Sequence, residues 1–182
     1  MNQVIFISGT PCVGKTTVAN ELSQRLGADL VRVNELAINE DLVLGIDDEK
    51  GYKIIDIDKL NGFLGEIIDK LDSDKLLIVE GHLSHLCLGA DKVVILRVHP
   101  DILKERLASR DYSDSKIMEN LEAEALDVCG AEAYDTYLDD VIEINASDLT
   151  IDEIINQIVG VIFDKNEISF DEIDFMDWLI SS

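Results

Sequence analysis

The residues at 9–17, GTPCVGKTT, constrain this chain more than any other stretch, because they fit the Walker A pattern G-x-x-x-x-G-K-[ST] of phosphate-binding loops. The apolar run at 4–7 comes just before them and is typical of a buried parallel strand. Val18, Leu22 and Leu26 follow at a spacing of four, which predicts one face of a helix. Strand, loop and helix therefore come in the order that the motif requires.

The residue types in this loop suit the binding of phosphate groups. Gly9 and Gly14 allow the backbone to turn and to point its N–H groups inward, where a Cβ atom would block a phosphate oxygen. A helix that begins near Lys15 adds the positive end of its dipole. The Lys15 ammonium can reach β- and γ-phosphates, and the Thr16 hydroxyl can ligate Mg²⁺. We therefore predict a nucleotide-binding site here.

Further along the chain, strand and helix patterns alternate. Apolar runs predict strands at 30–33, 75–80, 92–98 and 141–144. Periodic apolar positions predict helices from Asp56, from Pro100 and from about Lys116, and a Thr150 to Glu153 capping box opens the last one. Such alternation predicts an α/β layered fold with a mostly parallel sheet, whose ligands bind at the carboxyl ends of the strands.

Two local features complete this prediction. Asn34 has the placement of an N-terminal cap for a short helix after the second strand. The residues at 45–52 are acidic and resemble a loop.

Charge is the most unusual property of the composition. The chain has 182 residues, most simply one domain, and 15 basic against 38 acidic residues give a net charge of −23. Such a chain should be repelled by DNA and by anionic membranes. Adaptation to a salt-rich cytoplasm and docking of a basic protein partner both explain the acidity, and composition does not separate them.

The cysteine usage and the hydropathy point to a reducing compartment. Cys12, Cys87 and Cys129 are odd in number and show no C-x-x-C spacing, which argues against a disulfide framework. The chain enters its first strand without a basic leader, and no apolar run is long enough to span a bilayer. We therefore expect a soluble cytoplasmic protein.

A carboxylate and a histidine follow the third predicted strand. Glu80 ends a buried strand, where a carboxylate can hold Mg²⁺ or position a nucleophile, although it could simply lead the strand into solvent. His82 could orient water or phosphate, or be structural. His82 and His85 lack a third ligand at a matching spacing, so a structural zinc site is not expected.

Arginine is scarce, and two arginines share one predicted helical face. Arg106 and Arg110 are four residues apart, and phosphoryl transfer requires cations over the developing charge. A solvated helix face or ion pairs with neighbouring carboxylates is the alternative. Function is favoured for Arg110 over Arg106. Arg32 and Arg97, near strand ends, are weaker candidates to meet a second phosphate.

The tail from Lys165 interleaves apolar and acidic residues. It could form an amphipathic helix that packs on the body, which is the preferred interpretation, or serve as a docking element for a partner.

Four segments together resemble one known family. They are the loop at 9–17, VNELA at 33–37, VEGH at 79–82 and ERLASRDYS at 105–113. Their sequence and order are similar to those of the small atypical adenylate kinases, the nuclear, ribosome-assembly-linked type of eukaryotes and their archaeal counterparts. The similarity runs from residue 1 to about 163 and does not clearly cover the acidic tail.

The resemblance implies a three-layer P-loop NTPase fold with a central parallel sheet, of the nucleoside monophosphate (NMP) kinase type. It implies a kinase-like domain at 1–163, with an NMP-binding segment at about 32–55 and a short lid at about 109–119, and an acidic amphipathic tail at 164–182. The implied ATP-binding residues are Cys12, Gly14, Lys15, Thr16, Thr17 and Arg110. Placement and resemblance together predict Lys15, Glu80, His82 and Arg110 as catalytic residues, with Thr16 and Glu80 as metal ligands.

The activity implied is Mg²⁺-dependent transfer of a phosphoryl group from ATP to AMP, giving two ADP, with ATPase activity beside it. A role as an ATP-switched ribosome assembly factor acting on a basic small-subunit ribosomal protein is one alternative, and a small-metabolite kinase is another.

Two residues depart from the family pattern. Cys12 stands where glycine is usual, so the loop loses one permissive backbone position and gains a thiol. Glu80 stands where aspartate is more common, and its longer arm puts the balance of kinase and ATPase activity in question.

Overall fold

A five-stranded parallel sheet forms the centre of the protein. The computed structural model describes residues 3–47, 52–163 and 173–181. The strands lie in the order β2 (Asp29–Arg32), β5 (Leu76–Glu80), β1 (Gln3–Ser8), β6 (Lys92–Arg97) and β7 (Val141–Asn145). Every neighbouring pair in this sheet is parallel. The predicted α/β fold with a parallel sheet is confirmed.

The sheet is covered on both faces because its strands carry apolar side chains on both sides. Ile5 and Ile7 of β1 belong to one buried cluster, whereas Val4 and Phe6 belong to the other. The first cluster lies under α1 (Lys15–Leu26), α4 (Pro100–Ala108), α5 (Asp114–Ala125) and α7 (Ile151–Phe163). The second lies under α2 (Val33–Asn39), α3 (Ile57–Asp69) and α6 (Val128–Tyr137).

Helix starts follow the capping signals where a side chain can reach the first turn. The Asp56 carboxylate accepts a hydrogen bond from the Lys59 N–H at 3.1 Å. Thr150 Oγ1 accepts from the Glu153 N–H, and Glu153 Oε2 accepts from the Thr150 N–H at 2.8 Å, which is a complete capping box. Pro100 occupies the first turn of α4, as predicted.

Two helix predictions are wrong. Asn34 does not cap α2, because that helix begins one residue earlier at Val33 and Asn34 lies inside it. The long helix expected from about Lys116 is two helices, α5 and α6, since Asp127 adopts a left-handed conformation with φ of 53° between them. The Asp127 side chain then accepts from the Gly130 N–H and caps the second helix.

A hairpin replaces part of the predicted acidic loop. β3 (Val43–Ile46) and β4 (Lys53–Ile55) pair antiparallel as a separate two-stranded sheet. The loop expected at 45–52 therefore begins inside a strand, and its residues 48–51 lie outside the described part of the chain.

The described end of the tail packs on the body, which is the preferred of the two alternatives. Within α8 (Met176–Ser181), Trp178 Nε1 donates to Asp101 Oδ1 at 2.8 Å. Phe175 is buried, with its ring edge-on to His99. The remaining tail residues, at 164–172 and 182, lie outside the described residues.

Cys12, Cys87 and Cys129 are all unpaired thiols. Within residues 3–47, 52–163 and 173–181, no helix is both long and apolar enough to cross a bilayer.

Candidate phosphate-binding site

The Walker A loop leaves the carboxyl end of β1 and leads directly into α1. Gly9 has φ of 132°, and a Cβ atom there would lie 2.4 Å from the Leu96 carbonyl oxygen. Only glycine fits a position with both constraints. Gly14 has φ of 111° and immediately precedes α1, with open space where a Cβ would stand. The two glycines therefore shape the loop at its beginning and its end.

Cys12 adopts a left-handed backbone conformation, with φ of 71°. A non-glycine residue in this region costs about 1–2 kcal/mol, because its Cβ approaches the following carbonyl. The sequence indicated that cysteine removes a permissive position from the loop. The chain accepts this conformation and keeps the glycine-like shape of the loop.

The strain at Cys12 leads to a stability prediction. We expect Cys12→Gly to be more stable than Cys12→Ala by about 1 kcal/mol, because both lose the thiol but only glycine adopts the left-handed region freely. Urea unfolding of the two variants and the parent protein measures the difference. Equal stability of the alanine and glycine variants would show that the loop stores no strain at this residue.

Lys15 is buried and folded back onto its own loop. Its ammonium donates to the Gly9 carbonyl at 2.9 Å and to the Thr10 carbonyl at 2.8 Å. Desolvation by burial lowers the pKa of Lys15, while the thiols and carboxylates around it oppose that change. The buried Lys15 ammonium contacts neutral carbonyl oxygens, so it is positioned to bind an anionic ligand such as a phosphate group.

Thr16 and Glu80 form a pair of hard oxygen ligands beside the loop. Thr16 Oγ1 lies 3.4 Å from both Glu80 carboxylate oxygens. Glu80 is 7% exposed at the end of β5. Desolvation raises its pKa, against the opposing effects of Lys15 and Thr16. A hydroxyl and a carboxylate in contact fit Mg²⁺, which prefers oxygen ligands.

The two histidines after β5 face different partners. His82 is exposed, and its Nδ1 lies 3.2 Å from the Gly9 carbonyl oxygen. Desolvation at the loop and then the Lys15 charge lower its pKa, which favours the neutral ring. His85 is buried, with Nδ1 2.6 Å from Ser8 Oγ and Nε2 2.9 Å from Glu132 Oε2. Only His82 lies beside the loop surface.

Arg106 and Arg110 reach the loop from its other side. Arg106 Nη1 donates to the Val13 carbonyl at 3.2 Å. Arg110 lies two residues beyond the end of α4 and is exposed, so the two arginines do not share a helix as predicted. They nevertheless line one cleft of about 380 Å³, together with six neighbours: Cys12, Gly14, Lys15, Thr16, Thr17 and Ser109.

Arg97 is not available to a ligand, contrary to the sequence-based suggestion. Its side chain is 1% exposed and contacts Glu124 at 3.0 Å and both Asp127 and Glu143 at 2.6 Å. Sequence reasoning missed its partner Glu124, which also accepts a hydrogen bond from the Thr10 hydroxyl of the loop. The available signal was a glutamate three residues after Leu121, at a position where the helical pattern expects an apolar residue.

Tyr52, just before β4, contacts the start of α5. The Lys116 ammonium lies 4.2 Å from the centre of the Tyr52 ring and 4.5 Å from that of Tyr112. Asn120 Nδ2 also donates to the Tyr52 hydroxyl, at 3.4 Å. The start of α5 is therefore joined to the residue before β4 by a cation–π contact.

Solved structures share this architecture. The shikimate kinase of Bacteroides thetaiotaomicron aligns with a TM-score of 0.56 and 18% identity, covering 88% of this chain and 98% of that one. The YorR protein of Bacillus subtilis, solved in complex with phosphorylated GDP, aligns with a TM-score of 0.60 and 18% identity, covering 88% and 95%. At this identity the likeness shows the fold, which is that of P-loop NTPases.

Sequence relatives define the family more narrowly. A family profile described as "AAA domain" matches residues 5–127. A protein of Methanothermobacter thermautotrophicus named "Putative adenylate kinase" is 38% identical over 177 residues, covering 97% of this chain and 99% of its own length. A Pyrococcus furiosus protein with the same name is 41% identical over 160 residues, covering 87% and 83%. The chain therefore belongs to the P-loop, kinase-like family of these relatives.

Proposed function

We propose that this protein is an adenylate kinase that transfers the γ-phosphoryl group of ATP to AMP and forms two ADP. The observation that carries the proposal is the cleft itself, where the Walker A loop meets two arginines and where Thr16 of the lining contacts the Glu80 carboxylate. Phosphoryl transfer asks for positioned cations and oriented backbone N–H groups rather than for a protein nucleophile. The names of the relatives supply the choice of AMP as acceptor.

ATP would lie in the cleft with its phosphates on the loop. Cys12, Gly14, Thr16 and Thr17 line the space where the α1 N-terminus presents its N–H groups. Lys15 would exchange its contacts with two carbonyls for contacts with phosphate oxygens. Thr16 and Glu80 would hold Mg²⁺, which supplies positive charge to the β- and γ-phosphates.

The arginines and the histidine would act at the transferred group. Arg110 is exposed within the cleft and can meet charge that develops between donor and acceptor, with Arg106 held nearby by the Val13 carbonyl. His82, whose neutral form is favoured, would orient water or a phosphate oxygen beside Gly9. In-line placement and exclusion of water would supply the remaining acceleration.

We further propose the segment at about 32–55 as the AMP-binding segment and that at about 109–119 as a short lid. Residues 1–163 would form the kinase domain, with the acidic tail at 164–182. The contact of Tyr52 with Lys116 supports this division, since it joins one proposed segment to the other. Arg32, whose backbone pairs with Glu80 in the sheet, begins the proposed AMP-binding segment, and its half-buried guanidinium contacts Asn20 and Glu35.

The test is direct separation of nucleotides after incubation of the protein with ATP, Mg²⁺ and each NMP in turn, with free phosphate measured in the same tubes. We expect AMP to yield two ADP per ATP consumed, with little free phosphate. Formation of phosphate alone, whichever NMP is offered, would contradict the kinase assignment.

The net charge of −23 favours a second candidate, an ATPase whose hydrolysis releases a basic protein such as a small-subunit ribosomal protein. Stimulation of phosphate release by a basic partner, weakened by salt, would support it. The third candidate, a small-metabolite kinase, predicts ADP formation with a non-nucleotide acceptor. In each case we place the protein in the cytoplasm.

A further inference from the structure

The phosphate-binding loop is tied to the protein interior through Thr10. This residue is 2% exposed, although it stands at the first turn of a ligand-binding loop. Its hydroxyl donates to Glu124 Oε2, and its carbonyl accepts from the Lys15 ammonium at 2.8 Å. One residue therefore connects a buried carboxylate to the lysine of the Walker A motif.

Both carboxylate oxygens of Glu124 are occupied. Oε1 accepts from Arg97 Nε at 3.0 Å and from the Val98 N–H at 2.9 Å, while Oε2 accepts from Thr10. The side chain is 1% exposed. A fully desolvated carboxylate is costly unless it is paired and fully hydrogen-bonded, as it is here.

Charge balance alone does not explain Glu124. Arg97 already has Asp127 and Glu143 at 2.6 Å each, so its single positive charge is matched without a third carboxylate. Unlike Asp127 and Glu143, Glu124 also contacts the phosphate-binding loop. Glu124 also lies on α5, whose first residues fall within the proposed lid, so one helix reaches both the lid and the loop.

We propose that Glu124 is a positioning residue that holds Thr10, and through it the loop and Lys15, in the conformation that receives phosphate. A loop that already has its binding conformation loses less conformational entropy when ATP binds, and its affinity for ATP is therefore higher. This inference rests on the proposed binding of ATP at the loop.

Four variants separate positioning from bulk stability. Thr10→Val keeps the shape of the side chain but removes the hydroxyl, whereas Thr10→Ser keeps the hydroxyl. Glu143→Gln is the matched control, because it removes a carboxylate that contacts the same Arg97 at 2.6 Å without touching the loop. Glu124→Gln removes the charge that strengthens the hydrogen bond from Thr10 and serves if Thr10→Val does not fold.

The readouts are the Kd for Mg·ATP by calorimetry, the KM values for ATP and AMP, kcat and the urea midpoint. We expect Thr10→Val to weaken ATP binding about tenfold or more and to raise KM for ATP, with KM for AMP within about twofold. Thr10→Ser should restore ATP binding to within about threefold. Glu143→Gln should lower the urea midpoint while Kd for ATP stays within about twofold.

Unchanged ATP affinity in both Thr10→Val and Glu124→Gln would overturn the proposal. Equal weakening by Glu143→Gln would also overturn it, since the effect would then be one of general stability. Calorimetry measures ATP binding without turnover. A parent protein that binds ATP but makes no ADP from AMP would therefore contradict the proposed function, while the role of Glu124 in ATP binding could still be tested. A parent protein that binds no ATP would contradict both.

Discussion

Replacing Lys15 with methionine is expected to remove ATP binding and phosphoryl transfer together. The ammonium is the one buried lysine charge among the described residues, and it is held at the loop by the Gly9 and Thr10 carbonyls. Loss of a positioned donor to a charged transition state costs on the order of 10²–10³ in rate, and the loss of ground-state phosphate contacts adds to it. We therefore expect a fall in kcat/KM for ATP of about 10³-fold or more.

Lys75→Met is the matched control, because Lys75 is exposed and precedes β5 at the opposite end from Glu80. Circular dichroism of both variants checks the fold. If Lys15→Met keeps kcat/KM within about tenfold of the parent protein, the loop is not where ATP phosphates bind and the site assignment fails.

Replacing Glu80 with glutamine should separate metal binding from nucleotide binding. The amide has the shape of the carboxylate but no charge, so the Thr16–Glu80 pair would lose most of its affinity for Mg²⁺. We expect kcat with Mg·ATP to fall by about 10²–10³-fold. ATP affinity measured in the presence of EDTA should stay close to that of the parent protein.

The stability of the same variant gives an internal check. Because burial raises the pKa of Glu80, its charge is unfavourable in the folded protein, and glutamine should unfold at the same or a higher urea concentration. Glu66→Gln, at an exposed position of α3, is the control for loss of a surface carboxylate, here one that pairs with Lys70 at 3.2 Å. An equal fall of ATP affinity with and without Mg²⁺ would contradict a metal-binding role. Glu80→Asp tests whether the arm length sets the ratio of ADP to free phosphate.

The sequence predicts best those elements that are determined by residues close to one another in the chain. Strands buried on both faces need apolar runs, and the runs within 4–7, 75–80 and 92–98 lie close to β1, β5 and β6. Asp56 and Thr150 cap their helices because the partner N–H groups lie three residues away. The Walker A loop is local for the same reason, so the cleft could be located before the fold was known.

The features that the sequence does not predict depend on distant partners. Arg97 receives carboxylates from residues 27, 30 and 46 positions later, and only the packing of α5 and β7 brings them together. The break at Asp127 arises from a left-handed aspartate, and the nearest glycine, Gly130, lies three residues later inside the next helix. The β3–β4 hairpin has three-to-four-residue strands with few alternating positions, too short for a periodic signal.

The position of Trp178 has a practical consequence for spectroscopy. It is the single tryptophan of the chain, and its indole N–H is bonded to Asp101 on α4, the helix that also bears Arg106. Indole emission depends on the polarity and the charges around the ring, so a displacement of α4 relative to the C-terminal helix would change its wavelength or intensity. Trp178 is thus an intrinsic fluorophore next to α4. Its fluorescence after rapid mixing with nucleotide could report the rate of such a displacement without any attached dye.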